Sequence, residues 1–400
     1  MTELHETDTL VIGASAAGLA AAACLRKAGV EFEIVEASDV VATAWRHHYD
    51  RLHLHTPKSA SSLPGLPMPS TWPRYPSRDQ VVLYLEAYAR HFGLEPHFGV
   101  EVTHLTRDGD GWTAETDQGT WRARHVVVAT GATRRPVRPT WPGMESYVGD
   151  VLHSSDYTNG EAWRGGSVLV VGFGNSACEQ AIDLVEHDVR THLAVRSEVN
   201  VVPRDLLGVP ILQMGIVMRV LPTQVADALA APLLKATVGD ISKVGLRPLP
   251  YGPNTQIKND RHIPLLDIGT MDHIKAGRIH VHPGIERFTA SGVVFTDGTS
   301  LDVDAVVLGT GYEPALADFL VDARVVCDDD GRPYVSGGPT QLAGLYFCGQ
   351  FVAPSGMLRE MGIEARRIAA QISGVPIETP VDRAKSQVAR FTRRPQRTAS

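Results

Sequence analysis

The sequence predicts an α/β chain built from two Rossmann-like nucleotide-binding units, the second inserted into the first. Three observations carry that expectation. A short apolar strand near the N-terminus runs into a glycine-rich turn, an Ala-rich helical stretch and a second strand. The same order recurs after residue 166. The chain has 400 residues, 43% hydrophobic and 21% charged, an ordinary globular composition that at ~150 residues per domain makes two or three domains.

In order, Thr9 to Ile12 reads as the first strand, Gly13-Ala14-Ser15-Ala16-Ala17-Gly18 as the turn and Leu19 to Lys27 as the helix. Gly29 ends that helix, and Phe32 to Glu36 is the next strand. Residues 39 to 76 are rich in Pro, Ser and His and read as a long functional loop. Ser77 to Phe92 is an amphipathic helix with Ser77 as its N-cap. Short strands follow at 100–105, 112–116 and 120–124, separated by Asp-Gly and Gln-Gly turns, then the apolar strand His125 to Ala129 ending in Thr130-Gly131. Pro136 to Pro142 reads as a linker.

The second unit has Val168 to Val171 as strand, Gly172-Phe173-Gly174-Asn175-Ser176-Ala177 as turn, Cys178 to Glu186 as helix and Val189 to Val195 as strand. Residues 199 to 262 read as irregular, and Leu206 to Leu221 as a buried or lid segment. Strands are expected at 279–288, 292–295, 300–303 and 305–308, the last entering Gly309-Thr310-Gly311-Tyr312. Leu345 to Cys348 is a further strand into Gly349-Gln350, and Glu364 to Ile372 a helix. The domain boundaries that follow are 1–150 for the first part of one unit, 151–290 for the inserted unit with the stretch 199–262 on its substrate side, 291–378 for completion of the first, and 379–400 for a basic, flexible tail.

Each glycine turn lets backbone approach a pyrophosphate, and the helix start behind it offers free N–H groups and a positive dipole end. The two turns differ at the ribose. Glu36 lies 23 residues after Gly13 and ends its strand, where a carboxylate accepts from ribose hydroxyls. The same step from Gly172 reaches Val195, with Arg196-Ser197 next, and an arginine there suits a 2′-phosphate. The first site therefore reads as FAD or NAD and the second as NADP. Ser15 stands where the middle glycine of the first turn is usual, and its Cβ crowds the pyrophosphate if it points inward.

Other classes are disfavoured. With 38 Lys and Arg against 45 Asp and Glu the net charge is −7, which argues against a nucleic-acid reader. Cys24, Cys178, Cys327 and Cys348 are far apart, so there is no C-x-x-C for zinc or dithiol chemistry, and their low number fits a reducing cytoplasm. The pairs His53/His55 and His280/His282 alternate as in strands and read as packed histidines without an acidic partner; no metal is expected. No apolar run reaches the ~18 residues of a membrane span, and the acidic N-terminus is not a secretory signal.

Motifs beyond the turns resemble the flavin-containing monooxygenase family over roughly residues 8 to 375. Tyr147-Val148-Gly149 through His153 to Tyr157 resembles that family's F-x-G-x-x-x-H-x-x-x-(Y/W/F) string, and Gly309-Thr310-Gly311-Tyr312 resembles its A-T-G-Y. Tyr49 to Lys58 (Y-D-R-L-H-L-H-T-P-K) and Leu265 to Gly269 resemble its YUCCA-type branch. The resemblance implies FAD and NADPH as cofactors, hydride transfer between them, dioxygen activated at the flavin C4a, and one oxygen atom passed to a small organic substrate. The YUCCA-type branch implies oxidative decarboxylation of a 2-oxo acid such as indole-3-pyruvate; relatives oxygenate nitrogen or sulfur. The alternative is an FAD/NAD(P)H-dependent reductase or oxidase without substrate oxygenation.

By the same resemblance and by position, Gly13, Ser15, Ala17, Gly18, Glu36, Trp45, Arg46, His53, Val102, Thr130, Gly131, Gly349 and Gln350 are expected around FAD. Gly172, Gly174, Asn175, Ser176, Arg196 and Ser197 are expected around NADPH, with Thr310, Gly311 and Tyr312 as further cofactor contacts. His55, Lys58 and Asn175 are the catalytic candidates, and His153 is expected to be structural. The expected partners are the substrate and dioxygen, with no nucleic acid; a homodimer stays open.

Overall fold

The computed structural model describes residues 3–206, 208–211, 222–260, 262–351 and 355–375. The basic tail and most of the segment 206–221 lie outside the described residues. The first sheet contains β1 (Glu3–Ile12), β2 (Phe32–Glu36), β3 (His97–Phe98), β4 (Val102–Asp108), β5 (Gly111–Thr116) and β6 (Gly119–Val128), in spatial order β3-β2-β1-β6-β5-β4. The strands expected separately at 120–124 and 125–129 are one, because β6 runs unbroken beside β1 from Gly119↔Glu3 to Val128↔Ile12. Its first half closes an antiparallel meander with β5, and its apolar second half is buried between parallel neighbours.

The second sheet is all parallel. Its strands are β7 (Asp150–His153), β8 (Ser167–Val171), β9 (Arg190–Ala194), β10 (Ile279–His282) and β11 (Ala305–Leu308), in order β10-β9-β8-β11-β7. The boundary expected at 290 is therefore displaced. Ala305 to Leu308 fills the slot between β8 and β7, so the inserted unit extends to about residue 308. The hairpin strands Ile285–Phe288, Gly292–Phe295 and Ser300–Asp302 belong with it, packing Phe288, Val293 and Phe295 on Leu169 and Val306. The chain then returns to the first sheet through β12 (Leu345–Phe347), which pairs with β6.

Register puts the site at one end of each sheet. Ile12 pairs with both Val35 and Val128, and Val128 with Phe347. The Gly13 turn, Glu36, Thr130 and Gly349 therefore leave the first sheet together, at the carboxyl ends of its parallel strands. In the second sheet Val171 pairs with Ala194 and Leu308, so Gly172, Arg196 and Gly309 emerge together. Where the chain crosses between sheets, Arg135–Pro136 pairs antiparallel with Tyr312–Glu313.

Helices follow the glycine turns. Helix α1 (Ala16–Lys27) starts one turn earlier than the Ala-Leu run suggests, with Ser15 as its N-cap residue. Helix α2 (Arg78–His91) begins in a reciprocal Ser77/Gln80 capping box. Helix α3 (Asn175–Glu186) starts at the second turn. The stretch 199–262 is not irregular: it contains α4 (Thr223–Val238) and α5 (Pro253–Asp260). Pro232 inside α4 and proline at the first position of α5 hide both from a reading that treats proline as a breaker. Asp227, buried on α4, accepts from the backbone N–H of Asn254 and of Thr255 at 2.9 Å each, holding the start of α5 against α4. Helix α6 (Met357–Ser373) packs on α1.

Candidate active site

The first cradle is set by backbone that admits no side chain. Gly13 has φ +107°, and a Cβ on it would lie 2.8 Å from the Ala129 carbonyl oxygen. A Cβ on Gly18 would lie 1.8 Å from the Gly13 carbonyl oxygen. Ser15 is in ordinary extended backbone (φ −100°, ψ −163°) and its side chain makes no capping bond, so serine is accommodated without strain. Glu36 reaches across the turn: its carboxylate accepts from Ala14 N–H at 2.6 Å and from Ser38 N–H and hydroxyl at 3.0 and 2.8 Å.

Beside this turn three buried polar atoms have no hydrogen-bond partner: Thr130 Oγ1 and both the Oε1 and Nε2 of Gln350. Leaving such groups unpaired is unfavourable, so the place suits a polar ligand. Gly349 turns at φ +79° over Ala17, and its N–H donates to the buried Glu364 carboxylate at 2.6 Å. Gly131 faces open space. The residues present fit a flavin dinucleotide.

Other expected contacts are placed less directly. Arg46 is committed to Glu86 and to the Val41 carbonyl. Next to Glu36 the structure puts Val100, whose N–H donates to the Glu36 carbonyl at 2.9 Å; Val102 lies two residues on, in the core and paired with Thr116. Thr310 donates to the Val137 carbonyl at 2.5 Å, and the Gly311 carbonyl accepts from Val137 N–H, so both sit at the crossing between sheets. Tyr312 packs edge-on against His153 with centroids 4.9 Å apart.

His153 is fully buried there. Its Nδ1 accepts from Ser155 N–H, so the proton sits on Nε2, which faces the Gly311 carbonyl at 3.1 Å. Burial lowers its pKa from the ordinary histidine value, favouring the neutral ring. The geometry is that of a strut between linkers.

In the second cradle Gly172 has φ +119°, and a Cβ would meet the Gly309 carbonyl at 2.4 Å. Gly174 faces open space at the N-cap of α3. Arg196 and Ser197 are exposed just past β9. Sequence reasoning missed Arg247, whose guanidinium donates to the Arg196 carbonyl and so brings a second cation to the same strand end. These residues fit a phosphorylated dinucleotide.

Between the two cradles lies a cavity of about 410 Å³. Its wall is largely aliphatic, from Val202 and Leu206 through Leu229, Leu233 and Leu234 to Ile257, Ile263 and Leu266. Trp45, His53, His55, Asn175 and Ser176 reach it from the expected set. Asn175 Oδ1 accepts from Leu266 N–H at 2.9 Å, tying α3 to the cavity wall. His53 is no part of a strand: it makes one isolated bridge to Ser77, and its Nδ1 contacts the Arg51 carbonyl.

Lys58 stands apart from His55 and Asn175. Its ammonium donates to the carbonyls of Ser70 and Trp72, and it does not line the cavity. It ties the Pro-rich loop down.

His55 has the acidic partner that the sequence reading denied it. Its Nε2 lies 2.5 Å from Oε1 of Glu179, a side chain 2% exposed whose Oε2 has no partner. Glu179 is one turn after Asn175 on α3, so helical spacing from the glycine turn is the signal that could have found it. The same loop grips α3 again through Arg51, whose two donors reach both Glu186 oxygens at 2.9 and 2.8 Å. Burial and the adjacent Glu179 push the Tyr49 hydroxyl well above its ordinary pKa, and burial lowers His48.

The four cysteines are unpaired and buried. Burial raises Cys24 and Cys327 to about 11, and Cys178 and Cys348 well above their ordinary value, which disfavours the thiolate that disulfide chemistry needs. Among the described residues no cluster of three or more His, Cys, Asp or Glu is arranged for a metal, and no helix is long and apolar enough to cross a membrane.

A family model described as pyridine nucleotide-disulphide oxidoreductase matches residues 10–205. The chain is 41% identical over 320 residues to "Indole-3-pyruvate monooxygenase YUCCA1" of Oryza sativa subsp. japonica, covering 78% of this chain and 79% of that one. Among solved structures it is similar to a flavin-containing monooxygenase from Stenotrophomonas maltophilia, with TM-score 0.71 and 23% identity over 92% of this chain and 99% of that one. It is also similar to a bacillithiol disulfide reductase from Bacillus cereus, with TM-score 0.69 and 20% identity over 93% and 100% of the two chains. The fold is thus common to proteins named as oxygenases and as disulfide reductases.

Proposed function

The chain belongs to the flavin-dependent monooxygenase family of the indole-3-pyruvate monooxygenases and is an FAD- and NADPH-dependent monooxygenase; on that premise we propose that its substrate is an aryl-substituted 2-oxo acid, which it decarboxylates oxidatively. Indole-3-pyruvate is the lead substrate. The observation that carries this reading is the cavity between the two cradles: about 410 Å³, aliphatic along most of its wall, polar where residues 48–56 meet the start of α3. An aromatic side chain suits the first region and an acid head group the second.

The balanced reaction takes a 2-oxo acid, dioxygen, NADPH and a proton to the acid one carbon shorter, carbon dioxide, NADP⁺ and water. One oxygen atom enters the product carboxylate and the other leaves as water. The flavin supplies the redox chemistry, accepting a hydride and activating dioxygen. The chain supplies everything else. Gly13, Gly18, Glu36, Thr130 and Gln350 hold the flavin nucleotide in this reading, and Gly172, Gly174 and Arg196 hold NADPH. The aliphatic wall excludes bulk water from the reacting centre. Unpaired, unreactive cysteines support a reducing, cytoplasmic setting.

The test is substrate-stimulated NADPH oxidation by flavin-loaded protein with indole-3-pyruvate, a dialkyl sulfide and a tertiary amine, in isotope-labelled dioxygen. The 2-oxo acid should be preferred and should yield labelled carboxylate. NADPH consumption that yields only hydrogen peroxide, with no label in any organic product, would overturn the proposal.

A further inference from the structure

The polar end of the cavity lacks the residues that usually bind an anion. Among its described lining residues there is no lysine and no arginine. Three histidines line it, and two are poor anchors. His48 is lowered by burial, which favours its neutral form. His53 is exposed, and its Nδ1 is engaged with the Arg51 carbonyl.

His55 is built differently. Its Nε2 is fixed 2.5 Å from Glu179 Oε1, while its Nδ1 has no hydrogen-bond partner among the described residues. Glu179 is 2% exposed, and its other oxygen is unpaired. The Tyr49 hydroxyl lies against the same carboxylate, so the fold gives Glu179 a phenol and an imidazole as its neighbours. The position of the carboxylate is itself constrained. It stands on the first turns of α3, and the loop carrying His55 is pinned to the same helix by the Arg51–Glu186 pair.

We propose that Glu179 is the positioning residue for His55, and that His55 Nδ1–H is the donor that binds the carboxylate of the substrate. This rests on the 2-oxo acid reading above and names its anchor. With Nε2 turned to Glu179 Oε1, the ring's remaining nitrogen, Nδ1, is the group left to meet the anion. A carboxylate fixed behind an imidazole sets the ring's tautomer and orientation, the same logic by which buried carboxylates orient catalytic histidines. Because His55 comes from the first unit and Glu179 from the inserted one, the anchor is complete only when the two units are docked as they are here.

The experiment compares equilibrium binding of indole-3-acetate and indole-3-acetamide to the flavin-loaded protein by calorimetry, in wild type, Glu179→Gln and His55→Gln. The probes share the indole and differ in the head group, an anionic carboxylate against a neutral amide. Wild type should bind the acid at least tenfold more tightly than the amide, and each variant should reduce that preference to within about twofold while amide affinity is retained. Equal affinity of wild type for acid and amide would overturn the proposal. So would variants that lose both probes in proportion, the signature of a merely structural pair. If Glu179→Gln does not take up flavin, His55→Gln decides the same comparison. Failure of the underlying monooxygenase reading is distinguishable: it appears as absent label incorporation, whatever the ratio of the two affinities.

Discussion

Gly18→Ala tests whether the first cradle is built by steric exclusion. Helix propensity predicts a gain, because Gly18 is the third residue of α1 and alanine is favoured over glycine there by about 1 kcal/mol. The geometry predicts the opposite. A Cβ at this position would lie 1.8 Å from the Gly13 carbonyl oxygen, roughly 1.5 Å inside normal contact. The obstacle is backbone, and Gly13 is itself fixed at φ +107° against Ala129, so neither partner can move alone. Overpacking where neighbours can shift costs about 1–3 kcal/mol, and this site should reach at least the upper figure, about 3 kcal/mol net. For a domain of this size that is a fall of roughly 6–12 °C in Tm. The assays are thermal unfolding and flavin absorbance per chain after purification. Gly174→Ala is the contrast: the space there is open and the backbone ordinary, φ −85°, so its Tm should stay within about 2 °C while NADPH binding weakens. A Gly18→Ala protein with full flavin content and an unchanged or raised Tm would refute the reasoning.

Arg196→Ala should raise the KM for NADPH by about 10- to 150-fold, the range of one or two lost charge-assisted bonds, and leave that for NADH nearly unchanged; equal effects on both would remove Arg196 from the 2′-phosphate. His192 is lowered to about 4 by burial and by His282 and His280 beside it. Its folded pKa is depressed below the unfolded value of about 6.5, so its contribution is complete above pH ~6.5 and lost as the pH falls through about 4. Urea midpoints at about pH 7.5 and about pH 4.5 should therefore converge in His192→Gln; an undiminished acid loss in the variant would contradict the assignment. None of the four buried thiols should react with an aromatic disulfide reagent before unfolding; prompt titration of Cys24 or Cys327 would count against their placement.

Local chemistry was legible and distant pairing was not. The glycine turns, Glu36 at its strand end and Ser77 as an N-cap follow from residues within about two dozen positions of one another, and the structure has them where the sequence put them. The membership of Ala305 to Leu308 in the second sheet could not be read the same way. An apolar four-residue strand fits either sheet, and only its pairing with Val168 to Val171 and Asp150 to His153 decides. Helix α4 was hidden because proline was weighed as a breaker, whereas the segment is helical through Pro232 and Asp227 ties it to α5. The placement of Lys58 was hidden for a related reason: its partners are backbone carbonyls, which leave no trace in residue types.

The His55–Glu179 pair is the more instructive case, because both residues were in view. His55 was singled out by its motif, and Glu179 lay four positions from Asn175, yet 124 residues separate them in the chain. The sequence treated the two glycine turns as separate ligand sites. Docking makes the space between them a third site, and its polar groups are contributed half by one unit and half by the other. A motif read within one unit can therefore identify the histidine but not what gives it a fixed orientation. The consequence is physical: any change that alters how the loop of residues 49–55 sits on α3, including loss of the Arg51–Glu186 pair, should perturb head-group binding without touching either nucleotide cradle.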